Sequence, residues 1–164
     1  MPKITHRYQL TLTWTGNLGT GTAEYRGYSR AHEVTAPGVP PLLGSADPMF
    51  RGAADRWNPE QLLVAALSQC HLLAYLHVCA DAGVVVTNYV DHPEGLLART
   101  SGGGGHFTEV TLHPTVTVAA PDQLDQAREL HTEANRQCFI ANSVNFPVRH
   151  QPLTLPPSPL APLA

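Results

Sequence analysis

Asn58-Pro59-Glu60-Gln61-Leu62-Leu63 opens the stretch that decides the fold, with Cys70 ahead of it in the same apolar run. Asn58 suits a helix N-cap, because its side-chain oxygen accepts a backbone N–H that the first turn leaves unpaired. Pro59 fits the first helical position, where its missing N–H costs nothing. Glu60 sits in the first turn, where the helix dipole favours negative charge. Leu62, Leu63, Ala66, Leu67, Cys70, Leu73, Ala74 and Leu76 follow on one broad face, and Gly83 is placed to end the helix. The opposite face, with Val64, Ala65, Ser68, Leu72 and Tyr75, is almost uncharged. The pattern predicts a long helix buried at the centre of the fold. Gln69, His71 and His77 interrupt it, which argues against a membrane span.

Strands surround this helix. Residues 8–15 alternate apolar and polar side chains, Gly16-Asn17-Leu18-Gly19 turns the chain, and residues 20–26 read as the partner strand. Residues 28–35 are a third candidate, and residues 36–57, rich in Pro and Gly, form a long loop. Residues 84–90 read as a buried strand, residues 102–105 as a flexible turn, and residues 106–119 as another strand in which Pro114 marks an edge or bulge. Pro121-Asp122 opens a second helix to about Arg136, with Leu124, Ala127, Leu130, His131 and Ala134 on one stripe. Residues 144–155 read as a last strand. The fold class is therefore α+β, with antiparallel sheets around a central helix. We expect a single domain over residues 1–155 and an extended Pro-rich tail over 156–164.

A net charge of −3 gives no electrostatic reason to expect nucleic acid, and 43% hydrophobic residues suffice for a core. Only 14% of residues are charged, which points to surface buried between subunits. Residues 1–7 lack an apolar signal region, so the expected location is the cytoplasm, where thiols stay reduced unless function oxidises them. Cys70 and Cys138 lie far apart in helical contexts, which suggests redox chemistry more than a disulfide scaffold. A lone Cys in an apolar helix is more often a small core residue, which is how Cys79 reads.

Asn58-Pro59-Glu60, then Cys70 on the same helix, then Cys138-Phe139-Ile140-Ala141-Asn142-Ser143 after a second helix, resembles the OsmC/Ohr family of thiol-dependent hydroperoxide reductases. The order of strands, loop, helix, strands, helix and strand resembles it too. The resemblance implies an intertwined homodimer in which Cys70 attacks the peroxide and Cys138 resolves the product as an intramolecular disulfide. It also implies a catalytic Glu at the helix start, here Glu60, and an Arg in the loop before it. Arg51 matches that location best, with Arg30 and Arg56 as the other candidates. The reductant implied is a dithiol such as a lipoyl protein, with no bound prosthetic group. Much of the family has Cys-Pro-Val where this chain has Cys138-Phe139-Ile140, which marks a divergent branch.

The chemistry is coherent on its own terms. A thiolate, not a thiol, attacks a peroxide oxygen. Burial among Leu and Ala disfavours the anion, so a cation must restore it, and an arginine stays charged there. A buried arginine in turn needs a carboxylate, which Glu60 supplies. Apolar walls favour organic hydroperoxides over hydrogen peroxide. Glu60 and Cys70 are ten positions apart, about 15 Å along a continuous helix. If both serve one site, Glu60 comes from a second subunit. The rivals are a zinc site, a non-catalytic module for an apolar ligand, and a Cys-dependent hydrolase. Cys70 with His77, and His131 with Cys138, are each seven positions apart, roughly 10 Å on a helix and too far for two ligands of one zinc ion. No oxyanion loop supports the hydrolase.

Overall fold

The computed structural model describes residues 5–157, so most of the Pro-rich tail lies outside the described residues. The chain groups into two compact units, Met1–Leu62 and Leu63–Ala164, and the fold is α+β.

The first unit holds an antiparallel sheet of β1 (Thr11–Trp14), β2 (His32–Thr35) and β3 (Leu42–Gly44) in that order. The expected partner strand over 20–26 is absent; β1 pairs instead with β2, Thr11 opposite Thr35. Glycine explains the change. Gly19 and Gly21 take φ of 110° and 58°, outside the strand region, and both donate their N–H to Asn17 Oδ1 at 2.9 and 3.0 Å. The residues between the strands therefore form successive turns. The expected loop at 36–57 contains β3 and a single 3₁₀ turn, Pro48–Phe50, capped by Asp47.

Helix α1 (Pro59–Asp81) begins as its cap predicts. Gln61 N–H donates to Asn58 Oδ1 at 2.8 Å, and Asn58 N–H donates back to Gln61 Oε1 at 3.3 Å. This reciprocal pair satisfies two donors at once. At the far end Gly83, with φ 74°, reverses the chain, and Val84 N–H donates to the Cys79 carbonyl at 2.9 Å. The expectation of burial all round needs correction. The residues buried are Leu67, His71, Tyr75, Val78 and Cys79. Leu73 and Leu76, assigned to the buried face from the sequence, are 67% and 40% exposed in this chain. By length and composition α1 could cross a membrane; its buried stripe instead joins a protein core.

The second unit has two sheets, β4–β7–β9 and β5–β6–β8. Their strands are β4 (Val86–Asp91), β5 (Glu94–Arg99), β6 (Gly105–Leu112), β7 (Pro114–Val118), β8 (Val148–His150) and β9 (Leu153–Leu155). Both sheets are mixed rather than antiparallel throughout, because β6 pairs with β8, and β7 with β9, in parallel. The single strand expected over 106–119 is two strands in different sheets. Pro114 lacks an N–H and starts the second, while the preceding His113 N–H is taken by Asp91 Oδ1 at 2.7 Å. The strand expected over 144–155 likewise splits around Gln151 and Pro152. Helix α2 (Leu124–Gln137) follows a 3₁₀ turn at Pro121–Gln123, and buries Ala127, His131 and Ala134. One core cluster joins Tyr75, Val78, Cys79, Val116, Val118, Ala127 and Ala134. A second joins Leu67, Val110 and Leu112, with Phe107, Ile140 and Phe146 packed against it.

Candidate active site

Cys70 lies at mid-helix on α1 and is half-buried; Cys138 caps the C-terminus of α2 and is 1% exposed. The two helices bring them together. Consecutive N–H groups of the turn after Cys138 reach both sulfurs, and no disulfide joins the two cysteines. Burial first, and then the neighbouring Cys70 side chain, push the Cys138 thiol up to about 11. Cys138 thus keeps its proton at neutral pH.

Backbone donors complete the pair. Ile140 N–H donates to Cys70 Sγ at 3.5 Å, and Ala141 N–H donates to Cys138 Sγ at 3.4 Å. The turn after Cys138 is held by Asn142, whose side-chain amide donates to the carbonyls of Arg136 and Cys138, both at 2.9 Å. Ser143 Oγ donates to the Phe139 carbonyl at 2.7 Å. Phe139 itself is 82% exposed beside the thiols. These N–H donors are backbone groups and carry no signal in residue identity. The Asn and Ser that hold the turn are the readable trace of them.

In the first unit, Glu60 lines a cavity of about 520 Å³ with Trp14, Tyr28, Arg30, His32 and Phe50. Its Oε2 is buried and has no hydrogen-bond partner. Arg30 is fixed there by donating to the carbonyls of Tyr28 at 2.6 Å and Tyr25 at 2.8 Å. Its guanidinium also lies 4.2 Å from the Tyr28 ring centroid and 4.5 Å from that of Tyr25. Arg51, favoured from the sequence, is exposed at φ 66° at the end of the Pro48–Phe50 turn and does not line this cavity. Arg56 is half-buried and does not line it either. Among the described residues no arginine forms an ion pair with Glu60.

Beside the thiols, His71, His131 and His150 pack in parallel planes with Tyr75, a cluster that sequence reading left as ordinary core. Among the described residues no group of three or more His, Cys, Asp or Glu is arranged to hold a metal ion. Cys79, read from the sequence as core, is 1% exposed, and burial pushes its thiol up.

Fold and paired thiols together define an α+β dithiol protein. The family model for OsmC-like protein matches residues 52–152, and the chain belongs to that family. Among solved structures it is similar to an OsmC-like protein of unknown function from Vibrio cholerae, at 31% identity and a TM-score of 0.81, covering 91% of this chain and 100% of that one. It also shares its fold with an organic hydroperoxide resistance protein from Elizabethkingia anophelis, at 21% identity, TM-score 0.65 and coverage of 92% and 98%. A putative organic hydroperoxide resistance protein from Vibrio cholerae, with captopril bound in one of its active sites, matches at 22% identity, TM-score 0.61 and coverage of 92% and 94%. No curated protein matches the chain.

Proposed function

We propose that this chain is a thiol-dependent peroxidase for organic hydroperoxides. One observation carries the reading: two cysteines remote in sequence each take on their sulfur a backbone N–H, from Ile140 and Ala141, of one and the same turn. In the first step the Cys70 thiolate attacks a peroxide oxygen. The S–O bond forms, the O–O bond breaks, and the alcohol leaves with a proton, so Cys70 becomes a sulfenic acid. In the second step the Cys138 sulfur attacks the Cys70 sulfur; the S–S bond forms, the S–O bond breaks, and water leaves. A dithiol reductant, such as a lipoyl protein, then exchanges with the disulfide and returns both thiols.

Glu60 and a cation complete the site in this reading. Arg30 suits that role better than Arg51, because it shares the cavity of Glu60 and is already ordered by two carbonyls and two rings. The helical separation of Glu60 and Cys70 supports a homodimer in which Glu60 of one chain serves Cys70 of the other. The cytoplasm is the compartment that keeps such thiols reduced between turnovers.

Titrating free thiols before and after one equivalent of cumene hydroperoxide tests the reading. Two thiols should disappear per chain. Cys70→Ser should abolish consumption, Cys79→Ser should leave it largely intact, and Cys138→Ser should stop at sulfenic or sulfinic acid. Unchanged thiols in the parent protein, or full activity in Cys70→Ser, would end the proposal.

A further inference from the structure

Helix α1 carries Cys70, Cys138 caps α2, and polar links tie the two helices along a seam. The Tyr75 hydroxyl donates to the Ala127 carbonyl at 3.0 Å. One turn back on α1 and one turn on along α2, His71 Nε2 and His131 Nδ1 share a hydrogen bond of 3.0 Å. Cys70 directly precedes His71, and its sulfur takes the Ile140 N–H just past the end of α2, next to the Ala141 N–H that reaches Cys138. Contact positions fall on α1 as they rise on α2, so the helices run antiparallel here.

The histidine bond is sealed. His71 is 1% exposed and His131 0%. Their rings lie within 7° of parallel, Tyr75 stacks on His131 at 3.9 Å, and His150 closes on His71 at 5.7 Å. Burial lowers both histidines, His71 to about 4 and His131 to about 3, so the pair is neutral and bound by one N–H. That bond fixes the tautomers jointly: whichever nitrogen donates leaves the partner's proton on its far nitrogen.

As a packing device the pair is costly. His71 Nδ1, His131 Nε2 and His150 Nδ1 are all buried without a protein partner, and moving a polar nitrogen out of bulk water has a cost that an apolar atom does not carry. Apolar residues of like volume would fill the space without that loss. What apolar residues lack is direction. A hydrogen bond weakens steeply when misaligned, whereas a helix slipped by one residue moves ~1.5 Å along and turns ~100°. A disulfide tolerates little of either, since its Cα atoms must lie within about 7 Å with the Cβ vectors facing.

We propose that His71 and His131 are positioning residues that lock the register of α1 against α2 and so set how readily Cys70 and Cys138 join. The inference rests on the reading of those cysteines as a redox pair. It is tested without peroxide, by equilibrating the protein with mixtures of reduced and oxidised dithiothreitol. The two thiols give up two hydrogens to oxidised dithiothreitol, which becomes the reduced dithiol as the S–S bond forms. Mass spectrometry after alkylation reads the Cys70–Cys138 disulfide.

His71→Leu and His131→Leu should each lower the equilibrium constant for that disulfide about tenfold, the effect of one lost directional bond. His71→Gln places an amide where Nε2 stood, and His131→Asn places one where Nδ1 stood; both should recover most of the loss. Should a Leu variant fail to fold, His71→Asn, polar but too short to reach, provides the contrast with His71→Gln. Variants that melt lower yet keep the parent equilibrium constant would show the pair to be core alone and overturn the proposal. A parent protein that forms no Cys70–Cys138 disulfide would overturn it as well. A parent that forms the disulfide but leaves cumene hydroperoxide untouched would refute the peroxidase reading and leave the positioning role standing.

Discussion

A histidine buried as a neutral ring makes stability depend on acid. Burial is the main cause of lowering at His71 and His131; His150 adds to it, and Asp91 opposes it at His71. Unfolded, each ring binds a proton near pH 6.5, whereas folded His71 does so only at about 4 and His131 at about 3. The unfolded chain thus takes up protons that the folded chain refuses. The stability is complete above about pH 6.5 and drains as pH falls through that window. At ~1.4 kcal/mol per unit the loss from His71 alone is on the order of 3 kcal/mol. Melting temperature should fall steeply between pH 7 and pH 4.5, and a flat profile would contradict the neutral cluster. The arginines give a second test at this scale: Arg30→Ala should slow sulfenic acid formation by about 10²-fold, as loss of a charge aimed at the reacting atoms does. Arg51→Ala should change it little, and the reverse order would return the role to Arg51. The resemblance to the family singles out Cys70, Cys138 and Glu60 as candidates, because the motifs that carry it are local stretches of the chain. It could not choose between arginines, since that depends on which backbone turns face Glu60, nor reveal that His71 and His131 meet.

Elements were legible where side chains signal directly to the backbone. Asn58, Pro59 and Gly83 marked the ends of α1, and the pairing of Asn58 with Gln61 shows why. Asn58→Ala should cost about 1 kcal/mol, a drop of roughly 2–4 °C in melting temperature. Asn58→Ser should cost far less, and equal losses in the two variants would deny the cap its role. Strand breaks were less legible. Alternation runs on through His113 and Pro114, yet the chain changes sheets there, because what ends β6 is Asp91 capturing the His113 N–H from another strand. Strand β5 was invisible for a related reason: Gly95 interrupts its pattern, at a place where an added Cβ would meet the Phe107 ring at 2.7 Å.

At the scale of the molecule, the low charged fraction and the exposed apolar side chains point the same way. Leu10, Leu12, Leu73 and Phe139 are 66%, 64%, 67% and 82% exposed, apolar side chains that a partner subunit would cover. A homodimer should show a two-chain mass in sedimentation and a melting temperature that rises with concentration. Leu73→Glu should shift it toward single chains; a monomer at all concentrations would refute the assembly. The order of the strands has one more consequence, and it concerns synthesis. Each sheet of the second unit takes its third strand from residues 148–155, while Ile140 and Ala141 of the turn after Cys138 pack on the same core as Phe146 and Val148. A chain that has not yet made those strands already contains all three of its cysteines but can close neither sheet. Cys70 and Cys79 therefore leave the ribosome before the core that holds them is complete, and they are open to reaction with strangers in that interval.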